Sequence, residues 1–157
     1  MNLFFSFHGR INRAKYWLAV LVYTAIGIVV AGIGFIMLGN GILELADEAA
    51  DEGIVVGLLS KGVGFFLLAL VVYVPMIVSG IFIGIKRLHD RDKSGWWLLV
   101  FYVVPFVLTQ IASGLHGALA LIPSLASLVI TIWGLVVLGF LRGTAGSNKY
   151  GPDPLAA

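Results

Sequence analysis

Residues Tyr16–Leu38 read YWLAVLVYTAIGIVVAGIGFIML, 23 consecutive positions without an Asp, Glu, Lys, Arg or His. At a rise of about 1.5 Å per residue this stretch covers about 34 Å as a helix, enough to cross a hydrocarbon core of about 30 Å. Three further runs are equally free of ionisable groups: Val63–Ile85, Trp96–Ala112 and Leu119–Leu141, of 23, 17 and 23 residues. Unbroken apolar runs of this length read as helices, because membrane barrel strands alternate over about ten residues. The expectation is an all-α membrane protein with four transmembrane helices forming one domain over residues 1–157. Pro75, Pro105 and Pro123 fall inside the runs and predict kinks. The rest of the composition agrees: 60% of the 157 residues are hydrophobic and 11% charged, with a mean hydropathy of +1.04, whereas soluble domains carry about 25% charged residues.

The charges between the runs orient the chain. Three Lys or Arg precede the first run, Lys61 alone follows it, and Lys86, Arg87, Arg91 and Lys93 lie between the second and third. The third loop has none and the tail has Arg142 and Lys149, so alternate segments hold nine against one. The positive-inside rule then puts both termini and the middle loop in the cytoplasm. The first run is longer than the apolar part of a signal peptide and no small-x-small site follows it closely, so it reads as an uncleaved anchor.

Little in the spans can do chemistry. Their polar side chains are Tyr23, Thr24, Tyr73, Ser79, Tyr102, Thr109, Gln110, Ser124, Ser127 and Thr131, and ion-coupled carriers usually keep an ionisable group at membrane depth. Gln110 reads as a helix-to-helix hydrogen bond rather than a pore lining. Gly27-x-x-x-Ala31, Gly80-x-x-x-Gly84 and the series Ala120, Ser124, Ser127 and Thr131 read as close helix contacts. The single histidines His8, His89 and His116 sit in different segments without zinc spacing, and there is no cysteine, so no metal, cofactor or catalytic residue is expected. Glu44, Asp47, Glu48, Asp51 and Glu52 would line one acidic stripe if Asn40 capped a short helix. They lack the order of a calcium loop and read as a solvated face. Ile54–Leu59 is too short to span alone and reads either as interfacial or as an extension of the second helix.

Three polar stretches fall on the cytoplasmic side in this topology: residues 8–13, 86–95 and 143–154. They predict an ordered cap in which Arg10 or Arg13 and Arg87 donate to Asp90, Asp153 or tail carbonyls. Arg87 or Arg91 pairing with Asp90 or Asp92 is also expected. Arg10, Arg13, Lys86, Arg87, His89, Asp90, Trp96 and Trp97 are the candidates for binding a protein partner or lipid headgroups, the tryptophans because their rings settle at headgroup depth. Nucleic acid is not expected, since positive-inside already explains the few basic residues.

At these stretches the chain resembles the bacterial inner-membrane family labelled domain of unknown function 805. The residues that carry the resemblance are Phe7-x-Gly9-Arg10-Ile11-Asn12-Arg13 running into Tyr16-Trp17, Lys86-Arg87-Leu88-His89-Asp90 with Lys93-Ser94-Gly95-Trp96-Trp97, and Gly143-Thr144 leading to Asn148-Lys149-Tyr150-Gly151-Pro152-Asp153-Pro154. The chain departs from it at Arg91-Asp92, where a small residue and glycine are more usual, and in its long acidic loop. The resemblance implies a small multi-span inner-membrane protein whose family features lie on the cytoplasmic face, and it brings no activity. The leading expectation is a non-enzymatic component that binds a protein partner, lipid headgroups or copies of itself through the cap. An oligomeric pore or small-solute carrier stands second, and a lipid-headgroup-modifying enzyme using His89 with Asp90 third.

Overall fold

A computed structural model describes residues 6–45 and 52–156. Its long elements are α1 (Arg13–Leu45), α2 (Glu52–His89), α3 (Trp97–Ser113) and α4 (Leu121–Leu135). A 3₁₀ turn at Gly117–Ala120 leads into α4, and a π-helical turn at Val136–Phe140 ends it. Among the described residues there is no strand, only one isolated bridge between Asn148 and Gly151. α1, α2 and the segment Gly117–Phe140 are long and apolar enough to cross a membrane, and α3, with 17 residues, is a shorter apolar helix.

Each apolar run is thus helical, with differences at the ends. α1 continues through Asn40 to Leu45 and includes Glu44, while Glu52 opens α2, so Asn40 caps no short helix carrying all five acids; Asp47, Glu48 and Asp51 lie outside the described residues. Ile54–Leu59 belongs to α2, which it lengthens. The fourth run is not one regular helix but the 3₁₀ turn, α4 and the π turn in sequence. α2 and α3 run unbroken past Pro75 and Pro105, and Pro123 lies in the first turn of α4, where the missing N–H breaks no hydrogen bond.

The chain divides into two compact units, residues 1–19 with 79–157, and residues 20–78. In the second unit α1 and α2 approach closely at Gly34, where a Cβ would stand 2.6 Å from Cζ of Phe65. Large apolar side chains such as Phe35 (79% exposed), Ile36 and Val71 point outward, a surface suited to lipid and not to water. A Cβ on Gly27 would meet nothing within 4 Å, so among the described residues the close contact expected there does not form.

In the first unit α3 packs on α4 and on the end of α2. A Cβ on Gly134 would lie 3.0 Å from Phe101, and one on Gly84 would lie 2.7 Å from Leu98, so these glycines set the close approach. Trp97, Phe101 and Trp133 pack edge-on or tilted, with ring centroids 5.2 to 6.0 Å apart. Deeper along the pair, Thr109 and Ser127 both donate to the Pro105 carbonyl, at 2.8 and 3.1 Å. Ser124 instead bonds the Ala120 carbonyl in the preceding 3₁₀ turn, and Thr131 the Ser127 carbonyl in its own helix. Gln110 is exposed and makes no side-chain bond across helices among the described residues, contrary to the expectation.

Candidate functional site

The site is built where α1 begins, α2 ends and the chain leaves α4. Asn12 is the N-cap of α1: its Oδ1 accepts from Lys15 N–H at 2.9 Å and its carbonyl from Tyr16 N–H at 3.2 Å. This fixes Arg10 and Ile11 just before the helix, both buried. α2 ends by a Schellman closure, in which Lys93 N–H bonds the Leu88 carbonyl at 3.0 Å and Asp92 N–H the His89 carbonyl at 3.0 Å. The closure needs a left-handed residue, and Asp92 supplies it at φ 55°. An aspartate therefore holds the position where glycine is the easier residue.

Asp90 is the hub. It is 3% exposed, beside Arg10 at 2% and Arg87 at 0%. Arg10 Nε donates to Asp90 Oδ1 at 3.1 Å, while Arg87 Nη1 pairs with Oδ2. The rest of Arg10 gathers the tail, donating to the carbonyls of Thr144 and Gly146, both at 2.6 Å, and of Gly151 at 3.3 Å. The Asp90 main chain returns the bond: its carbonyl accepts from Thr144 N–H at 2.8 Å and Thr144 Oγ1 at 3.1 Å. Gly143 has to be glycine here, because a Cβ would overlap the Asp90 carboxylate.

Arg87 faces the other way as well, donating through Nε to the Leu138 carbonyl at 2.8 Å and through Nη2 to that of Leu141. Three neighbours complete the row. Arg91 reaches the Val137 carbonyl at 3.3 Å, Trp17 Nε1 that of Gly139 at 3.0 Å, and Arg13 that of Phe140 at 3.1 Å. Every carbonyl from Val137 to Leu141 therefore receives a side-chain N–H from another part of the chain. These are the carbonyls that a helix end leaves without an intrahelical partner, at the negative end of its dipole. The three arginines and one indole cap α4 collectively, and the close approach of Trp17 is allowed by Gly139, whose Cβ would lie 2.9 Å from the indole.

His89 stacks on Tyr150, with centroids 3.8 Å apart and planes 4° from parallel. Asn148 Nδ2 donates to the His89 carbonyl at 2.9 Å. The Nδ1 of His89 is buried without a partner. The tail closes on itself through Asp153, whose two carboxylate oxygens accept from Gly146 N–H at 3.0 Å and Leu155 N–H at 2.9 Å. Those amides, Leu155 first, hold the Asp153 carboxyl below the usual carboxylate range, with Arg10 adding to the effect.

The structure brings Arg10, Arg87 and Asp90 into contact and sets Arg13 on the α4 carbonyls beside them. Lys86 is fully buried. Trp97 sits in the aromatic group, its ring 5.2 Å from Lys93 Nζ, while Trp96 is 76% exposed. Asp92 pairs not with Arg87 or Arg91 but with Lys149, at 3.6 Å on the surface, and Asp153 receives no arginine. Trp17, Gly139, Gly143, Asn148 and Tyr150 have structural roles that sequence reasoning did not assign, although all but Gly139 lie within the stretches that carry the family resemblance. Among the described residues no three His, Asp or Glu side chains come together as metal ligands.

Long apolar helices joined to a buried arginine–aspartate–arginine cluster define a helical membrane protein with an ordered polar cap. The chain belongs to the family described as "Protein of unknown function (DUF805)", which it matches over residues 4–152. It is 30% identical over 149 residues to the Inner membrane protein YhaI of Escherichia coli (strain K12), covering 95% of this chain and 86% of that one. The Inner membrane protein YhaH of the same organism is likewise 30% identical, with 95% and 87% covered, and the Uncharacterized protein YiiR is 28% identical over 157 residues, with 95% and 86% covered. No solved structure matches.

Proposed function

We propose that this chain is a non-enzymatic component of the bacterial inner membrane that crosses it four times, with both termini and residues 86–95 in the cytoplasm. Its cap serves as a docking surface for a protein partner, lipid headgroups or a second copy. The observation that carries this reading is the engagement of the Asp90 cluster: both carboxylate oxygens of Asp90 are held by arginines, and those arginines are closed onto main-chain carbonyls. A general acid or base needs a titratable group within reach of a substrate, whereas this hub is buried and its donors face inward. Its chemistry suits holding three segments in one shape.

The orientation rests on the basic asymmetry of the sequence and on the cap residues, which lie at helix ends where arginine and tryptophan meet headgroups. In this reading the shorter helix α3 is also a crossing, the third of the four along the chain. The outer residues of the cap, Trp96 and Arg13 among them, remain exposed for an interaction that Arg10, Lys86, Arg87, His89, Asp90 and Trp97 support from within. Purification in mild detergent tests the reading: the wild-type chain retains a specific protein, lipid or second copy, and Trp96→Ala loses it while keeping its thermal stability. Equal retention by Trp96→Ala, Arg13→Gln and wild type would count against the cap as the docking surface.

A further inference from the structure

Between the start of α1 and the C-terminal tail lies a cleft of about 430 Å³, with Asn12, Arg13, Ala14, Arg142, Thr144 and Asp153 among its lining residues and Asp90 in its wall. Its acids and bases differ in what they still offer. Asp90 has both oxygens on Arg10 and Arg87, and Asp153 has both on the amides of Gly146 and Leu155. Each oxygen of both carboxylates thus already accepts a hydrogen bond. Arg13 places one N–H on the Phe140 carbonyl and keeps its other donors, and Arg142 is exposed and donates to nothing among the described residues. The cleft thus presents unengaged guanidinium donors on Arg13 and Arg142 beside two carboxylates that already accept hydrogen bonds, of which Asp90 is also ion-paired with Arg10 and Arg87.

We propose that this cleft binds a phosphate-ester anion between Arg13 and Arg142. A guanidinium presents paired N–H groups that match two phosphate oxygens, which is why arginine is favoured where phosphate is gripped with defined geometry. The main-chain amides of Arg13 and Ala14 have no helix partner at this first turn, and they add donors at the positive end of the α1 dipole. Arg13 and Arg142 each border a long apolar run, at positions 16–38 and 119–141, which is headgroup depth for those helices. The phosphate belongs either to a membrane lipid or to a soluble ester, and both present the same oxygens. The proposal rests on the reading of the cap as a binding surface and narrows its ligand.

The test uses the full chain in micelles of a maltoside detergent, which contains no phosphate. One arm titrates inorganic phosphate and glycerol phosphate and follows thermal stability; the other adds phosphatidic acid to the micelles and follows lipid retained after gel filtration, by mass spectrometry. Saturable binding in either arm is expected, the first marking a soluble ester and the second a lipid. Arg142→Gln should weaken it about tenfold or more, as loss of a charged hydrogen-bonding group does, and Arg142→Lys should recover part of it. Arg142 has no internal partner to lose among the described residues, so its variants should keep the wild-type melting temperature without ligand. No saturable binding in either arm, or binding that Arg142→Gln leaves unchanged, overturns the site. A wild-type chain that binds no phosphate yet retains a protein partner through Trp96 refutes this site alone and leaves the docking reading standing.

Discussion

At the scale of single residues, Asp90 decides whether the arginines around it are an asset or a burden. Two buried guanidiniums share its carboxylate, and removing one member of a buried pair costs about 3–5 kcal/mol because the remaining charge stays out of water. Asp90→Asn should therefore lower the detergent melting temperature sharply, and Gly143→Ala should do so by displacing the same carboxylate. Asp92 gives the opposite contrast. Its left-handed backbone at φ 55° disfavours branched side chains, so Asp92→Val should cost about 1–2 kcal/mol, while Asp92→Gly should be tolerated, since the exposed pair with Lys149 contributes little. Asp153 carries the acid response. Its carboxyl is held below the ordinary range, so its contribution is complete above that range and disappears as pH falls through the lowered value. Pepsin cleavage beside Tyr150 should accelerate in that acid window relative to a control peptide, and Asp153→Asn should be equally susceptible across it.

At the scale of elements, the end of α4 shows what the apolar runs could not reveal. The run Leu119–Leu141 announces a helix, and nothing in its side chains announces that its last carbonyls will be met by Arg91, Arg87, Trp17 and Arg13. A carbonyl is common to all residues, so its partner depends on which distant segment is folded against it. The tail presents the same problem: Tyr150 stands in a quoted motif, yet its stacking on His89 has no local signature. The ends of α1 and α2, by contrast, were legible as positions where polar stretches meet apolar ones, and Arg10, Arg87 and Asp90 were legible as a cluster from their opposite charges at those ends. Magnitudes separate the two kinds of polar contact in the helices. Trp17→Phe keeps a ring against Gly139 but leaves a buried carbonyl unsatisfied, and should cost about 1–3 kcal/mol. Ser127→Ala removes a bond to Pro105 between helices, where such bonds average about 0.6 kcal/mol, and should barely move the melting temperature.

At the scale of the whole molecule, hydropathy conveys the class. Four apolar runs became helices because lipid leaves the backbone no other way to satisfy itself over such lengths. Their ends shifted where local turn chemistry intervened, as at the π turn after Leu135 and the continuation of α1 past Asn40. The proposed orientation rests on the nine-to-one asymmetry of basic residues: reporters placed after Ala157 or near Asp90 should read cytoplasmic, and one near Asp47 external. An external reading after Ala157 would require an odd number of crossings.

The account turns on three distant segments being folded into one cap around Asp90, and hydrogen exchange of the tail amides in detergent measures this most directly. In the wild-type chain Thr144, Gly146, Asn148 and Gly151 should be protected, since each N–H has an acceptor in the folded cap. In Asp90→Asn the same amides should exchange many times faster, while those in the middle of α3 keep their protection. Free exchange of the tail in the wild type, or unchanged protection in the variant, would contradict the cap.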